Sequence, residues 1–327
     1  MKKTVFSGIQ PSGTIHLGNY LGALKRWVEM QNQYNCIFGV VDLHALTVYQ
    51  EPKKFRRAIL DTAKILLALG IDPEKSTLFL QSDVSQHLEL FWILNSVTKV
   101  AELELMTQYK DKVRQQHGKA VFAGLLNYPV LMAADILIYD TDFVPVGEDQ
   151  RQHLELTREV ARRFNGLYGK TFKVPEPLIE KVGSKIMALD DPLQKMSKSA
   201  ESPYNYITLT DKPELIKDKI KKAVTDSDTI IKYDPIKKPG ISNLLTILAL
   251  VTDRDIKEVE GKYFGENYGK LKLDTADAVV KFLSNFQEKF KKISDSEVDS
   301  TLKKGAQSLK KKAEDKIDEV YKKVGIR

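Results

Sequence analysis

The chain has 327 residues, 42% of them hydrophobic, enough apolar material for one large core or two modest ones. No run of about 18 apolar residues occurs, so a membrane span is not expected, and Met1–Phe6 has no long apolar stretch behind it to act as a secretory signal, so the expected compartment is the cytoplasm. The single cysteine, Cys36, can neither close an internal disulfide nor build a zinc site, and the formal charge of +7 suits a polyanionic partner without establishing one.

Residues 3–9 read as a short strand that ends in a Gly/Pro/Ser turn at Gln10 to Gly13. From Leu17 the apolar positions Tyr20, Leu21, Leu24, Trp27 and Val28 recur at helical spacing. The apolar run 36–41, which contains Cys36, predicts a strand buried on both faces of a parallel sheet. A helix over 53–69 presents Phe55, Ile59, Ala63, Leu66 and Leu69 inward and stops at Gly70. A strand at 77–81, a helix near 86–97 and a long helix from about 120 to 139 follow. Phe143 to Val146 reads as a strand running into a helix from Glu148 to Phe164.

Such strand–helix alternation predicts an α/β fold around a doubly wound parallel sheet. Ligands of such sheets lie beyond the carboxyl ends of the strands, so the turns at 8–13, 42–44 and 147–150 are expected to share one rim. Past Pro192 the pattern becomes helical almost throughout, with turns near Pro213, 233–240 and 261–269. Residues 301–327 carry nine Lys/Arg against four Asp/Glu. That lysine-rich end reads more simply as a solvated helix face than as a surface for a polyanion. The chain therefore divides at about residue 190, into 1–190 and 191–327.

Two strings carry most of the chemistry. Gln10-Pro11-Ser12-Gly13-Thr14-Ile15-His16-Leu17-Gly18-Asn19 is a strand–turn–helix junction. Gly18 leaves room for close approach to the backbone, and His16 and Asn19 put donors near a helix N-terminus, where a phosphate is favoured. Alone it would pass for an ordinary turn and cap. Far downstream, Lys195-Met196-Ser197-Lys198-Ser199 sets two lysines three apart with two small hydroxyls, suited to neutralising transient polyphosphate charge.

Together these strings resemble the paired signatures of class I aminoacyl-tRNA synthetases. His16-Leu17-Gly18-Asn19 stands for the "HIGH" motif, and 195–199 match "KMSKS" at all five positions. Asn19 departs from the general motif in the manner common in the tryptophan branch. The runs 6–13, 41–45, 124–129, 131–137, 144–152 and Lys238-Pro239-Gly240-Ile241-Ser242-Asn243 are similar to bacterial tryptophanyl-tRNA synthetases. The likeness thus covers residue 6 to beyond 243.

The resemblance implies a Rossmann-type catalytic domain over 1–190 with ATP and tryptophan sites. It implies a mostly helical domain over 191–327 that begins with the 195–199 loop, binds the tRNA anticodon, and has last helices able to pack back on the catalytic domain. Tyr128, Met132 and Asp135, four and three apart, share one helix face, an apolar surface with one buried carboxylate that suits an indole bearing a single N–H. By resemblance Asp135 accepts that N–H, while Met132, Val144 and Val146 enclose the ring. Tyr128 and Gln150 hold the amino group, and Phe6, Gly8 and His44 line the pocket.

For ATP the resemblance implies Gln10, Pro11, Ser12, Gly18 and Asn19 at adenine and phosphates, with Gly147, Glu148 and Asp149 at the ribose. Ile186 offers its backbone to the base. Met196, Ser197 and Ser199 join Lys195 and Lys198 in the loop, and these two lysines with Lys112 are the catalytic cations. No protein-built metal cage is expected; Mg²⁺ enters with ATP. The partners implied are L-tryptophan, ATP, tRNA(Trp) and a second copy of the chain. A tyrosine-specific relative, an HxGH nucleotidyltransferase and a catalytically silent RNA-binding relative are the alternatives. The first is disfavoured by the strings at Gln10 and 147–150, the second by the 195–199 loop and the long basic helical half, the third by the intact motifs.

Overall fold

A computed structural model of the chain describes residues 2–11, 15–115, 120–147, 150–178, 185–197, 200 and 202–327. Five strands, β1 (Thr4–Ile9), β2 (Asn35–Val40), β3 (Ser76–Leu80), β4 (Phe143–Pro145) and β5 (Glu176–Leu178), form one sheet in the order β3-β2-β1-β4-β5. Every pairing is parallel, with Val5 opposite Cys36 on one side and Phe143 on the other. The three central strands β1, β2 and β3 are mostly apolar because both faces are covered. Val5, Cys36, Phe38, Leu78 and Leu80 enter one cluster, and Phe6, Ile37, Phe79 and Val144, at the alternate positions, enter the other. Cys36 is fully buried, as the sequence predicts.

The helices α1 (Leu17–Asn19), α2 (Lys25–Met30), α3 (Asp42–Ala45), α4 (Pro52–Leu69), α5 (Gln86–Asn95), α6 (Val100–Glu104), α7 (Thr107–Gln115), α8 (Ala123–Leu137) and α9 (Arg151–Tyr168) follow in chain order among the strands. Gly70 caps α4 in the left-handed region at φ 112°, where only glycine sits without strain. A π-helical segment, Tyr20–Leu24, joins α1 to α2; the apolar spacing did not distinguish it from an ordinary helix.

After the sheet come α10 (Pro213–Lys221), α11 (Pro239–Thr252), α12 (Ile256–Lys262), α13 (Tyr268–Lys292) and α14 (Asp295–Val324). The turn expected near Pro213 lies at 209–210, and Pro213 itself opens α10 at its first turn, because a proline costs nothing where the N–H has no partner. One expectation is corrected here. Between Pro192 and Lys212 the described chain is turns and irregular backbone, with isolated bridges such as Met187 to Lys195 and His16 to Thr208.

The last helix runs along the edge strand. Val298 and Leu302 of α14 pack in the first cluster, and Ala306, Leu309, Ala313, Ile317 and Val320 in the second. The crossing point is Gly305, where a Cβ would lie 2.0 Å from the Leu78 carbonyl oxygen. A long helix thereby covers a strand edge that would otherwise invite pairing.

Candidate active site

Strand order reverses between β1 and β4, so the crevice opens beyond the ends of these two strands. Gln10 and Pro11 follow β1, and Val146 and Gly147 follow β4, which brings the two sequence-predicted turns to one rim. Ser12, Glu148, Asp149, Lys198 and Ser199 lie outside the described residues.

His16 opens α1 with a reciprocal cap. The Asn19 backbone N–H donates to His16 Nδ1 at 3.3 Å, and the His16 N–H donates to Asn19 Oδ1 at 3.1 Å. His16 is buried, and its pKa falls to about 4, first through burial and then through nearby Lys195. It therefore stays neutral at ordinary pH.

Gly18 joins the two motifs. A Cβ at this position would lie 3.0 Å from His16 Nδ1 and 3.2 Å from the Met196 sulfur. Met196 is buried against the turn, and its N–H donates to the Ile186 carbonyl at 3.0 Å. Lys195 bridges Met187 and is exposed beside a cavity of about 520 Å³ lined by Asp190, Gln194, Ser197 and Asn205 among others.

Two buried asparagines set this loop. The Ser197 N–H donates to Asn205 Oδ1 at 3.0 Å, while Asn205 Nδ2 donates to Asp190 at 2.8 Å. Asn243, on α11, accepts from the Met187 N–H and donates to the Met187 carbonyl, each at 2.9 Å. Asn243 closes the string 238–243, which the sequence marks without giving it a role. Asn205 was missed, since a lone polar residue in an irregular stretch has no periodicity to betray it.

On the other side of the crevice, α8 carries Tyr128, Met132 and Asp135. Asp135 is 1% exposed. Its Oδ2 meets His44 Nε2 at 2.7 Å, and its Oδ1 accepts from Gln81 Nε2 at 2.7 Å and meets His87 Nδ1 at 2.6 Å. Burial alone would push this carboxyl up. The hydrogen bonds from His44 and His87 outweigh it and hold the pKa at about 2. His44 was anticipated; Gln81 and His87 were not, though both follow the buried strand β3 on the rim side.

Tyr128 is buried, its hydroxyl 2.8 Å from His153 Nε2 and 3.2 Å from Gln108 Oε1. Burial pushes its pKa to about 12. Lys112 Nζ lies 4.7 Å from the centre of the Tyr128 ring, and burial lowers its pKa. That puts this predicted cation beside α8. Met132 and Val146 are partly buried, Val144 and Phe6 fully so, against the same cluster. Gly8, exposed at the end of β1, has no room for a side chain, since a Cβ would sit 2.9 Å from Val41. Gln150 precedes α9 and its N–H donates to the Gly147 carbonyl at 3.0 Å.

A family model described as class I tRNA synthetases (W and Y) matches residues 1–284. A tryptophan–tRNA ligase of Caldanaerobacter subterraneus subsp. tengcongensis is 51% identical over 324 residues, covering 99% of this chain and 98% of the relative. Among solved structures, a tryptophanyl-tRNA synthetase from Mycoplasma pneumoniae superposes with a TM-score of 0.92 at 36% identity, covering 99% of this chain and 98% of the other. One from Campylobacter jejuni, complexed with ADP and tryptophan, gives 0.84 at 36% identity, covering 98% and 99%. With motifs, crevice and near-complete coverage in agreement, the chain belongs to the class I tRNA synthetases and, among them, to the tryptophan–tRNA ligase family.

Proposed function

We propose that this chain joins L-tryptophan to ATP, releasing pyrophosphate, and passes the tryptophanyl group to the terminal adenosine of tRNA(Trp). The observation that carries this reading is the close approach of Met196 to Gly18, where a Cβ would lie 3.2 Å from the Met196 sulfur. It supports reading the 10–19 turn and the 195–199 loop as two sides of one nucleotide site.

The amino-acid carboxylate attacks the α-phosphorus in line, and the bond to the bridging oxygen of pyrophosphate breaks. The nucleophile is already ionised, so positioning and charge neutralisation supply the rate. Lys195 and Lys198 receive the charge developing on pyrophosphate, with Lys112 reaching the phosphates from α7. Gln10, Pro11, Ser12, Gly18 and Asn19 hold adenine and phosphates, Gly147, Glu148 and Asp149 the ribose, and the Ile186 backbone the base. Met196, Ser197 and Ser199 shape the loop. The tRNA 2′-hydroxyl then attacks the adenylate carbonyl, and AMP leaves.

On the other side Asp135 accepts the indole N–H, Met132, Val144 and Val146 enclose the ring, and Tyr128 and Gln150 hold the amino group. Phe6, Gly8 and His44 complete the wall. Among the described residues no three His, Cys, Asp or Glu side chains are grouped to hold a metal ion. A Mg²⁺ accompanying ATP would take its ligands chiefly from phosphates and water.

Residues 191–327 serve the tRNA anticodon arm, and the enzyme acts in the cytoplasm; no helix among the described residues is long and apolar enough to cross a membrane. It works as a homodimer, a reading supported by exposed apolar side chains on and beside α3, α5 and α8. Tyr49 is 85% exposed, Phe122 72% and Trp92 68%. ATP–pyrophosphate exchange with each of the twenty amino acids tests the activity. Exchange with tryptophan alone is expected, and exchange driven best by tyrosine would overturn the assignment.

A further inference from the structure

Asp135 has more donors than a substrate acceptor needs. An ionised carboxylate offers about four acceptor directions. Two on Oδ1 are taken, by Gln81 and His87, and one on Oδ2 is taken by His44. One direction is left, and it belongs to Oδ2. Which oxygen keeps a free direction depends on the carboxylate's rotation about its own axis.

His87 is built to fix that rotation. It is fully buried, its ring stacked on Phe79 with centroids 5.7 Å apart and an interplanar angle of 21°. Both ring nitrogens are engaged, Nδ1 with Asp135 at 2.6 Å and Nε2 with the Tyr139 hydroxyl at 2.7 Å. Tyr139 is itself fully buried and stacks on Phe6, centroids 6.1 Å apart. Asp135 lies in the last turn of α8, Tyr139 two residues past its end, and His87 on α5 spans them. The imidazole can therefore neither turn nor shift without breaking two buried hydrogen bonds.

We propose that His87, anchored by Tyr139, is a positioning residue that sets amino-acid specificity by holding Asp135 with Oδ2 toward the indole N–H. The inference rests on the reading of Asp135 as the indole acceptor. A role confined to folding predicts something different. Loss of His87 would then affect every amino-acid substrate alike, whether or not it carries an N–H.

The test compares tryptophan with 3-benzothienylalanine, which has sulfur where tryptophan has N–H, by kcat/KM in ATP–pyrophosphate exchange with the full chain. In His87→Gln the amide falls near the Nε2 position, keeping Tyr139 and losing Asp135. In His87→Asn it falls near Nδ1 and keeps Asp135. The preference for tryptophan over the sulfur analogue is expected to drop ~10-fold in His87→Gln, the scale of one hydrogen bond to a charged group. It should be largely restored in His87→Asn, with the KM for ATP unchanged in both. Tyr139→Phe, which deletes only a hydroxyl, should lower the preference about 2–3-fold, the scale of one weak neutral hydrogen bond, and it carries the test if His87→Gln does not fold. Equal losses for both substrates, or an unaltered preference in Tyr139→Phe and His87→Gln, overturn the inference. Asp135→Asn run in parallel separates the two readings: if it too leaves the preference intact, the assignment of Asp135 fails; if it alone abolishes the preference, only the role of His87 fails.

Discussion

Asp135 is gripped by three buried side chains in the helical layer, whereas Lys195 stands exposed on a loop held chiefly through its backbone. In the proposed amino-acid pocket the side chain assigned to the indole N–H is itself immobilised. On the proposed nucleotide rim the supports are remote: Asn205 and Asn243 fix the backbone, and the Lys195 side chain is left exposed. The difference matches the two tasks proposed. Recognising one N–H demands a fixed acceptor, while stabilising a departing pyrophosphate demands cations that bind it more strongly as charge accumulates.

The comparison breaks most visibly at Lys195. Lys195→Ala is expected to slow adenylate formation ~100-fold or more, the scale of losing one preorganised charge contact, while the dissociation constant for tryptophan is unchanged. Rapid-quench single-turnover kinetics and equilibrium binding separate the two. Tryptophan binding that collapses while the single-turnover rate survives would make the loop structural.

Asp135→Asn should have the converse signature, with KM for tryptophan up roughly 10- to 100-fold and KM for ATP unaltered. Replacing a charged acceptor by a neutral one costs about 1.5–3 kcal/mol, and the amide would also face donors from Gln81 and His87. An unchanged tryptophan KM with normal selectivity would remove Asp135 from the pocket.

Asn243→Ala sharpens the nucleotide side. Two hydrogen bonds to the Met187 backbone are lost, each worth about 1 kcal/mol, so KM for ATP should rise up to about 30-fold with little effect on tryptophan. A loss shared equally by both substrates would show that α11 supports the whole crevice rather than the rim.

The pH dependence divides the same way. The His16 imidazole, with a pKa of about 4 in the folded chain against an ordinary 6.5, takes up a proton more readily when unfolded. Its contribution to stability is thus present above pH 6.5 and lost as pH falls from 6.5 towards 4. The Asp135 carboxyl, at about 2 against 3.8, contributes above about pH 4 and loses that contribution as pH falls towards 2. Denaturant unfolding between pH 7 and pH 4 should therefore show a weaker slope in His16→Asn than in the parent chain. Identical slopes would mean that His16 titrates normally.

Much of this was readable in the residues because the signals are local. The doubly buried strands announce themselves as apolar runs, Gly70 marks a helix end, and the two motifs lie in continuous strings. The grouping of Tyr128, Met132 and Asp135 follows from helical spacing alone. What stayed hidden depends on distant partners. His87 and Tyr139 read as members of apolar helix faces, and nothing in their spacing says that His87 links the Tyr139 hydroxyl to Asp135. Gly305 looks like a weak point in a long helix until the Leu78 carbonyl is seen against it. β5, three residues long, has no periodicity to detect.

The lysine-rich end offers the smallest and most conditional effect, and the fold changes which residues should be tested. Lys312 is a poor choice, because its ammonium donates to the Tyr139 carbonyl at 2.5 Å and is half-buried. Removing it would disturb the packing of α14 over the end of α8, close to the support of His87. Lys303, Lys304, Lys310 and Lys311 are exposed on α14. Lys303 pairs with Asp299 and Lys311 with Asp315, both at 2.7 Å, but exposed pairs of this kind contribute about 0–1 kcal/mol and leave the ammonium available to a phosphate. Changing these four to glutamine should lower aminoacylation a few-fold at low salt, with a shallower salt dependence than the parent's because fewer counterions are released, while amino-acid activation without tRNA is untouched. Loss in both assays would indicate a folding defect. Loss in neither would make this face of α14 ordinary surface and move the tRNA footprint to another part of the helical half.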